Sequence, residues 1–268
     1  MESMGGLVKR LPAPISSATF GTHVTKRKLL TALIAFPAIA CLGTLSWRSE
    51  TRKSWMAEYS SEVSQRREVH LADGSRVLLD ACSAFDVRFN ALERTLILHR
   101  GQILVTTGHE HPRRPFTVAT EQGELVALGT RFVVTIDDDS TEVAVLQSAV
   151  QVTISRQSPR VIRAGERLKF TRSAIGQTRA NDASVEAWAH GVHVAVDQPM
   201  RELLLQLSRY RSGSLTCDDA LASIRVSGTF PLDDSDKSLE ALETALPVEV
   251  VRYSSYWVHI RPVRQIFR

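Results

Sequence analysis

Between Glu62 and Val152 hydrophobic and polar residues alternate in short runs, with turn residues between the runs. Val69 and Leu71 alternate with polar neighbours, Asp73-Gly74 interrupts, and Val77, Leu78 and Leu79 follow. Asp-Gly between such runs predicts a hairpin, because the tight turn needs residues that tolerate positive φ. The two-residue period recurs at Phe85-Val87-Phe89, Leu96-Leu98, Ile103-Val105, Phe116-Val118 and Leu125-Ala127. It continues at Phe132-Val134-Ile136, Val143-Val145 and Val150-Val152-Ile154. Turn signals at intervals of about 8–12 residues point to an all-β sandwich, barrel or solenoid, and periodicity does not choose among these. Val161–Phe170 is expected to close this module, which then spans residues 62–170.

The pattern then changes twice. Residues 171–187 are poor in hydrophobics and read as a linker. From Trp188 a strand opens and runs to Val196, and Pro199 starts a helix carrying Leu203, Leu204, Leu207 and Tyr210 at helical spacing. Ile224–Phe230 reads as a strand. Asp233, Asp234 or Ser235 caps a second helix with Leu239, Leu242 and Leu246, and a hairpin follows from Pro247 to Pro262. This β-α-β-β-α-β-β-like order predicts a small α+β domain over residues 188–262.

Upstream, Leu29–Trp47 contains no charged residue. At helical rise this run is about 30 Å long, enough to cross a bilayer core. Lys26-Arg27-Lys28 precedes it, which favours a cytoplasmic N-terminus, and Trp47 is placed as an interfacial anchor. The run continues past Ala38-Ile39-Ala40-Cys41 to Leu45, and residues 1–28 form a long tail before it. Both features favour a transmembrane helix at 29–47 over a cleaved leader.

The 268 residues, 43% hydrophobic and 23% charged, have ordinary globular composition. The net charge of +4 reads as arginines spread along the chain and solvated, so no nucleic-acid partner is expected. Three cysteines form no CxxC motif, and Cys82 and Cys217 are expected as free thiols. His109-Glu110-His111 lacks the further His and Glu at cupin spacing, so a solvated loop is expected rather than a metal site. No nucleophile–base arrangement stands out, and neither turnover nor a cofactor is expected.

Several segments occur in a recognisable order: Val69-His70-Leu71-Ala72-Asp73-Gly74-Ser75, Leu98-His99-Arg100-Gly101, Arg114-Pro115-Phe116-Thr117-Val118, Leu128-Gly129-Thr130-Arg131-Phe132 and Val150-Gln151-Val152. Together they resemble the FecR family of Gram-negative sigma-factor regulators. Gln102 and Ser148 stand where the family often has Glu and Gly. The resemblance implies a solenoid-like β domain followed by a lobe similar to the short secretin/TonB N-terminal fold. The lobe's pattern is carried by Trp188-x-x-Gly191, by Pro199 with the Leu203–Tyr210 helix, and by Val226-Ser227-Gly228-x-Phe230.

The resemblance further implies a single-pass inner-membrane protein with periplasmic C-terminal domains. Its partners would be the periplasmic signalling domain of a TonB-dependent outer-membrane receptor, an ECF-type sigma factor and an intramembrane protease. Iron or siderophore uptake is the usual context. Candidate partner-binding residues are Trp188, Gly191, Tyr210, Phe230 and Trp257, of which the two tryptophans are either anchors or core aromatics. The resemblance also implies possible self-cleavage at Gly129-Thr130, where the Thr hydroxyl attacks the preceding, sterically open carbonyl. Such regulators usually begin with helices that grip the sigma factor. Here residues 1–28 contain no Trp, so either the reading frame extends upstream or that part is lost. The alternative to the relay is a membrane-anchored periplasmic binding or scaffolding module without sigma-factor output.

Overall fold

Side chains on alternate faces of a strand sort automatically into inside and outside, and here that sorting builds two sheets around one core. The computed structural model describes residues 57–108, 114–155 and 157–263, all within one unit spanning Glu50–Arg268. In chain order the β domain contains β1 (Tyr59–Ser60), β2 (Arg67–His70), β3 (Arg76–Leu79), β4 (Ala84–Phe89) and β5 (Arg94–Arg100). Then come β6 (Gln102–Thr106), β7 (Phe116–Ala119), β8 (Glu124–Ala127), β9 (Arg131–Asp137) and β10 (Ser140–Gln147). It closes with β11 (Ala149–Thr153), β12 (Arg160–Arg163), β13 (Glu166–Phe170) and β14 (Ile175–Ala180).

One seven-stranded sheet has the order β1-β4-β5-β7-β8-β11-β12, and the other β14-β13-β10-β9-β6-β3-β2. Their inner faces share a core that includes Val77, Phe85, Leu96, Phe116, Phe132, Val143, Val150, Leu168 and Phe170. The solenoid-like path implied by the family resemblance is corrected: this is a two-sheet sandwich, neither a solenoid nor a closed barrel. Six hairpins, β2–β3, β4–β5, β7–β8, β9–β10, β11–β12 and β13–β14, pair antiparallel, and the chain crosses between the sheets from one to the next. Among the described strands of the β domain only β5 and β7 pair in parallel, whereas stacked solenoid coils need parallel neighbours. The Asp73-Gly74 hairpin forms as expected. Gly74 has φ 80°, its N–H donates to the Leu71 carbonyl at 3.0 Å, and the Asp73 carboxylate pairs with buried Arg94 at 2.8 Å.

The reading of residues 171–187 as linker is also corrected. Residues 175–180 form β14, an edge strand paired with β13, and α1 (Ser184–Ala187) begins soon after. An edge strand is held by one row of backbone hydrogen bonds and needs few apolar side chains, so its composition resembled that of a loop.

The C-terminal lobe follows α1 with a 3-10 turn (Trp188–His190), so Trp188 precedes the strand it was expected to open. Next come β15 (Val192–Pro199), α2 (Met200–Ser208), β16 (Ser214–Cys217), α3 (Asp219–Ala222) and β17 (Arg225–Pro231). The lobe ends with α4 (Ser235–Ala245), β18 (Val248–Ser254) and β19 (Trp257–Pro262). β15 and β17 form one antiparallel pair; β16, β19 and β18 form a second small sheet. Leu203, Leu204 and Leu207 of α2 and Leu239 and Leu242 of α4 are buried. Asp234 caps α4 by accepting from the Lys237 N–H at 3.1 Å. The α+β character matches the sequence reading; β16 supplies the strand of that order to which no residues were assigned, and α3 is an addition to it.

The lobe sits on the outer face of the second sheet, and the strand registers explain why. Leu78, Leu104, Val133 and Ala144 are cross-strand neighbours in a row over β3, β6, β9 and β10. All four pack in the same hydrophobic cluster as the lobe's Trp188, Leu207 and Tyr210. A parallel row of Gln102, Thr135, Glu142 and Lys169 is polar. The expected membrane segment, 29–47, lies outside the described residues, among which no helix is long and apolar enough to cross a membrane.

Deleting residues 188–262 should therefore uncover the apolar row. The truncated protein is expected to self-associate on size-exclusion chromatography, whereas the intact Glu50–Arg268 unit elutes as one species. A monodisperse monomer after truncation would refute this role for the lobe.

Candidate functional site: the seam between the lobes

A buried carboxylate stands where the two lobes meet. Asp80 follows β3 directly and is 1% exposed. The Tyr210 hydroxyl donates to its Oδ1, and Arg209 Nη1 lies 3.6 Å from its Oδ2. The Arg209 Nη2 also donates to the Ala81 carbonyl at 2.9 Å, and the Ser64 N–H donates to the Arg209 carbonyl at 3.1 Å. Gln102, with its amide set by its neighbours, donates to Asp80 Oδ2 at 3.2 Å. It accepts from Trp188 Nε1 at 3.2 Å and from Thr135 Oγ1 at 3.0 Å.

Arg66 closes the seam from the other side. Its Nη1 donates to the Trp188 carbonyl at 3.1 Å, its Nη2 pairs with Asp233 at 2.7 Å, and its guanidinium lies 6.0 Å from the Tyr210 ring centroid. Arg131 of β9 pairs with Glu186 of α1. Each contact joins the β domain to the lobe.

Burial pushes the Asp80 carboxyl above the usual carboxylate range, against the opposing pull of Arg209 and the Tyr210 hydrogen bond. Burial, with the neighbouring Asp80 charge, drives the Tyr210 hydroxyl far upward, so it stays a donor. Beside the seam lies a cleft of about 770 Å³ whose walls include Gln102, Thr135, Glu142, Trp188, His193 and Arg209. Burial also lowers the His193 pKa, although the Gln198 hydrogen bond opposes this; the ring meets Gln198 Oε1 at 2.7 Å.

The sequence candidates separate by location. Trp188 and Tyr210 are buried in the seam, and Phe230 is buried in the lobe. At Gly191 a Cβ would fall 2.8 Å from Asp233 Oδ2, so its lack of a side chain accommodates the Arg66–Asp233 pair. Trp257 alone of the five is largely open, at 52% exposure. Its ring lies 4.5 Å from that of Tyr253, with exposed Tyr256 beside it in sequence. Sequence reasoning missed Asp80, Arg66, Arg209 and Gln102. Their only signal was charge or amide at the ends of apolar runs, which a turn explains equally well.

Gly129 has φ 75°. Thr130 is buried, its N–H donates to Thr107 Oγ1 at 2.9 Å, and its hydroxyl donates to the Gln147 carbonyl. An acyl shift requires that hydroxyl to turn onto the Gly129 carbonyl. His109-Glu110-His111 lies outside the described residues, among which no cluster of three metal-ligating side chains occurs. Cys82 and Cys217 are free. Thr216 Oγ1 meets His259 Nδ1 at 2.8 Å, and His259 Nε2 meets Asp218 at 2.8 Å. That relay lies outside the cleft walls.

The fold is a two-lobed, β-rich module whose lobes are joined by a buried polar seam. Residues 57–151 match the family described as FecR protein, so the chain carries a FecR domain. Two crystal structures of an inferred anti-sigma factor from Parabacteroides distasonis ATCC 8503 share its architecture. The TM-scores are 0.66 and 0.65, at 19% and 20% identity, covering 76% of this chain and 97% and 96% of theirs. No curated protein matches the chain.

Tyr210→Phe leaves the buried carboxylate short of a donor and should cost about 1–3 kcal/mol in urea unfolding. The raised Asp80 pKa means that the folded state keeps this proton longer than the unfolded chain. Asp80's contribution to stability therefore falls as pH rises from the ordinary carboxylate pKa through the raised one. Asp80→Asn should remove that slope; an unchanged pH profile would contradict it.

Proposed function

We propose that this chain regulates a sigma factor, relaying a signal from the periplasmic signalling domain of a TonB-dependent outer-membrane receptor to an ECF-type sigma factor. The observation that carries this reading is the FecR domain at residues 57–151. The likeness to the Parabacteroides protein along nearly its whole length adds fold-level support. In this reading residues 29–47 anchor the chain in the inner membrane, the described residues are periplasmic, and iron or siderophore uptake supplies the signal. Receptor docking then changes an intramembrane protease's access to the membrane segment.

Trp188 and Tyr210 are occupied within the protein, and Phe230 and Gly191 support the lobe. The receptor domain therefore docks on the lobe's outward side, around Trp257, Tyr253 and Tyr256. Strand addition at an edge of the small three-stranded sheet suits such a contact, since backbone hydrogen bonds need no special side chain.

Calorimetry tests the input. A fragment beginning at Arg48 is titrated with the periplasmic signalling domain of the receptor encoded nearby. Trp257→Ala is expected to weaken binding about tenfold or more, while stability changes by no more than about 0.5 kcal/mol. A point substitution suits this test better than removal of the lobe, because removal uncovers the apolar row. No binding between folded partners favours the alternative, an anchored periplasmic binding or scaffolding module.

Self-cleavage at Gly129-Thr130 belongs to the same proposal. Attack by the Thr130 hydroxyl on the Gly129 carbonyl gives an ester and a free amine, and water then releases the Gly129 carboxylate. Thr130→Val should abolish the two fragments on denaturing gels; an unchanged fragment pattern would exclude the mechanism.

A further inference from the structure

Residues 155–180 carry seven arginines and lysines against one acid, Glu166, a net of +6 in a chain whose total is +4. Residues 1–53 carry an equal net of +6, so this is one of two basic stretches in the chain, and the one that falls within the β domain. Three of these charges are neutralised within the protein: Arg167 by Asp182, Lys169 by Asp137 and Arg172 by Glu121. Arg160, Arg163 and Arg179 are exposed, and among the described residues no ion pair engages them.

These three arginines lie on two strands that share a second property. β12 ends the first sheet and β14 ends the second, so among the described strands each has one edge without a partner. The Arg160 side chain reaches from β12 to β14, its Nη1 donating to the Gly176 carbonyl at 3.2 Å. The β12–β13 turn brings Arg163 near Glu166, which pairs with Ala180 beside Arg179. Unpaired backbone donors and acceptors therefore run alongside uncompensated guanidinium groups.

We propose that this end of the sandwich, β12 and β14, binds an acidic extended segment of a partner protein by strand addition. Backbone groups would complete a ladder, and carboxylates would meet the guanidinium groups through charge-assisted hydrogen bonds. The inference goes beyond the relay and uses a different surface from the Trp257 side of the lobe. Charge complementarity selects an acidic occupant. The strand edges favour a protein over an anionic membrane surface, because a lipid surface offers no peptide backbone to complete a ladder.

The test uses the fragment beginning at Arg48 and a short blocked peptide of alternating glutamate and threonine. The controls are the same peptide with alternate threonines replaced by proline, and phosphatidylglycerol vesicles. Saturable binding is expected to the alternating peptide, severalfold weaker when salt rises from about 0.05 to 0.3 M. The triple variant Arg160→Glu, Arg163→Glu, Arg179→Glu should lose about tenfold or more in affinity with unchanged thermal unfolding.

Equal binding of the proline peptide would overturn strand addition, and binding to vesicles alone would assign the patch to lipid. A third outcome is that no peptide binds and that a triple Arg→Ser variant self-associates. The arginines would then serve only to guard the edges against pairing with other copies, and the proposal would fail. None of these results depends on whether the receptor domain binds near Trp257.

Discussion

A sheet with apolar side chains on both faces has to be covered twice. The second sheet of this protein is in that position: one face meets the first sheet, and the other carries the row Leu78, Leu104, Val133 and Ala144. Much else follows from that constraint. The C-terminal lobe supplies the second cover, and its aromatic residues at the seam become structural. The polar row two residues along the same strands is left to line the open cleft. The fold is in effect three layers deep over part of the second sheet and two layers deep elsewhere.

The seam's polar contacts have a different role from its apolar ones. Burying Asp80 costs desolvation, and a buried ion pair often contributes little net stability. What it supplies is directional: Tyr210, Arg209 and Gln102 satisfy the carboxylate only in one docking pose. Apolar contact sets how strongly the lobe adheres, and the carboxylate sets where. The Arg66 bridge from Trp188 to Asp233 fixes the same pose from a second point.

The strands were legible because a half-buried strand writes a period of two into the sequence, as at Phe132-Val134 and Val150-Val152. The Asp73-Gly74 turn was legible because its backbone needs that chemistry. The packing of strands into a sandwich was not, since sandwich and solenoid demand the same alternation and differ only in which strands pair. β14 was hidden because an edge strand needs few apolar residues. The seam was hidden for a related reason: Leu104 and Val133 sit on the outward side of their strands, and adjacent apolar residues in a run do not reveal what covers the second face. Trp188 and Tyr210 were recognised as notable, but the sequence did not say whether they face a partner or the protein's own β domain. The clustering of positive charge at residues 155–180 was open to counting; what counting could not show is that two sheet edges end there.

Only residues 181–183 separate β14 from α1. A connection that short makes the lobe a tethered ligand of its own β domain, held at an effective concentration on the order of millimolar or above. Any protein that would capture the covered face of the second sheet has to outcompete that local concentration. A free partner at micromolar levels, binding no better than the lobe does, would scarcely displace it. The seam is therefore protected by geometry as well as by contact energy, and accessible recognition is pushed to the surfaces the lobe leaves outside.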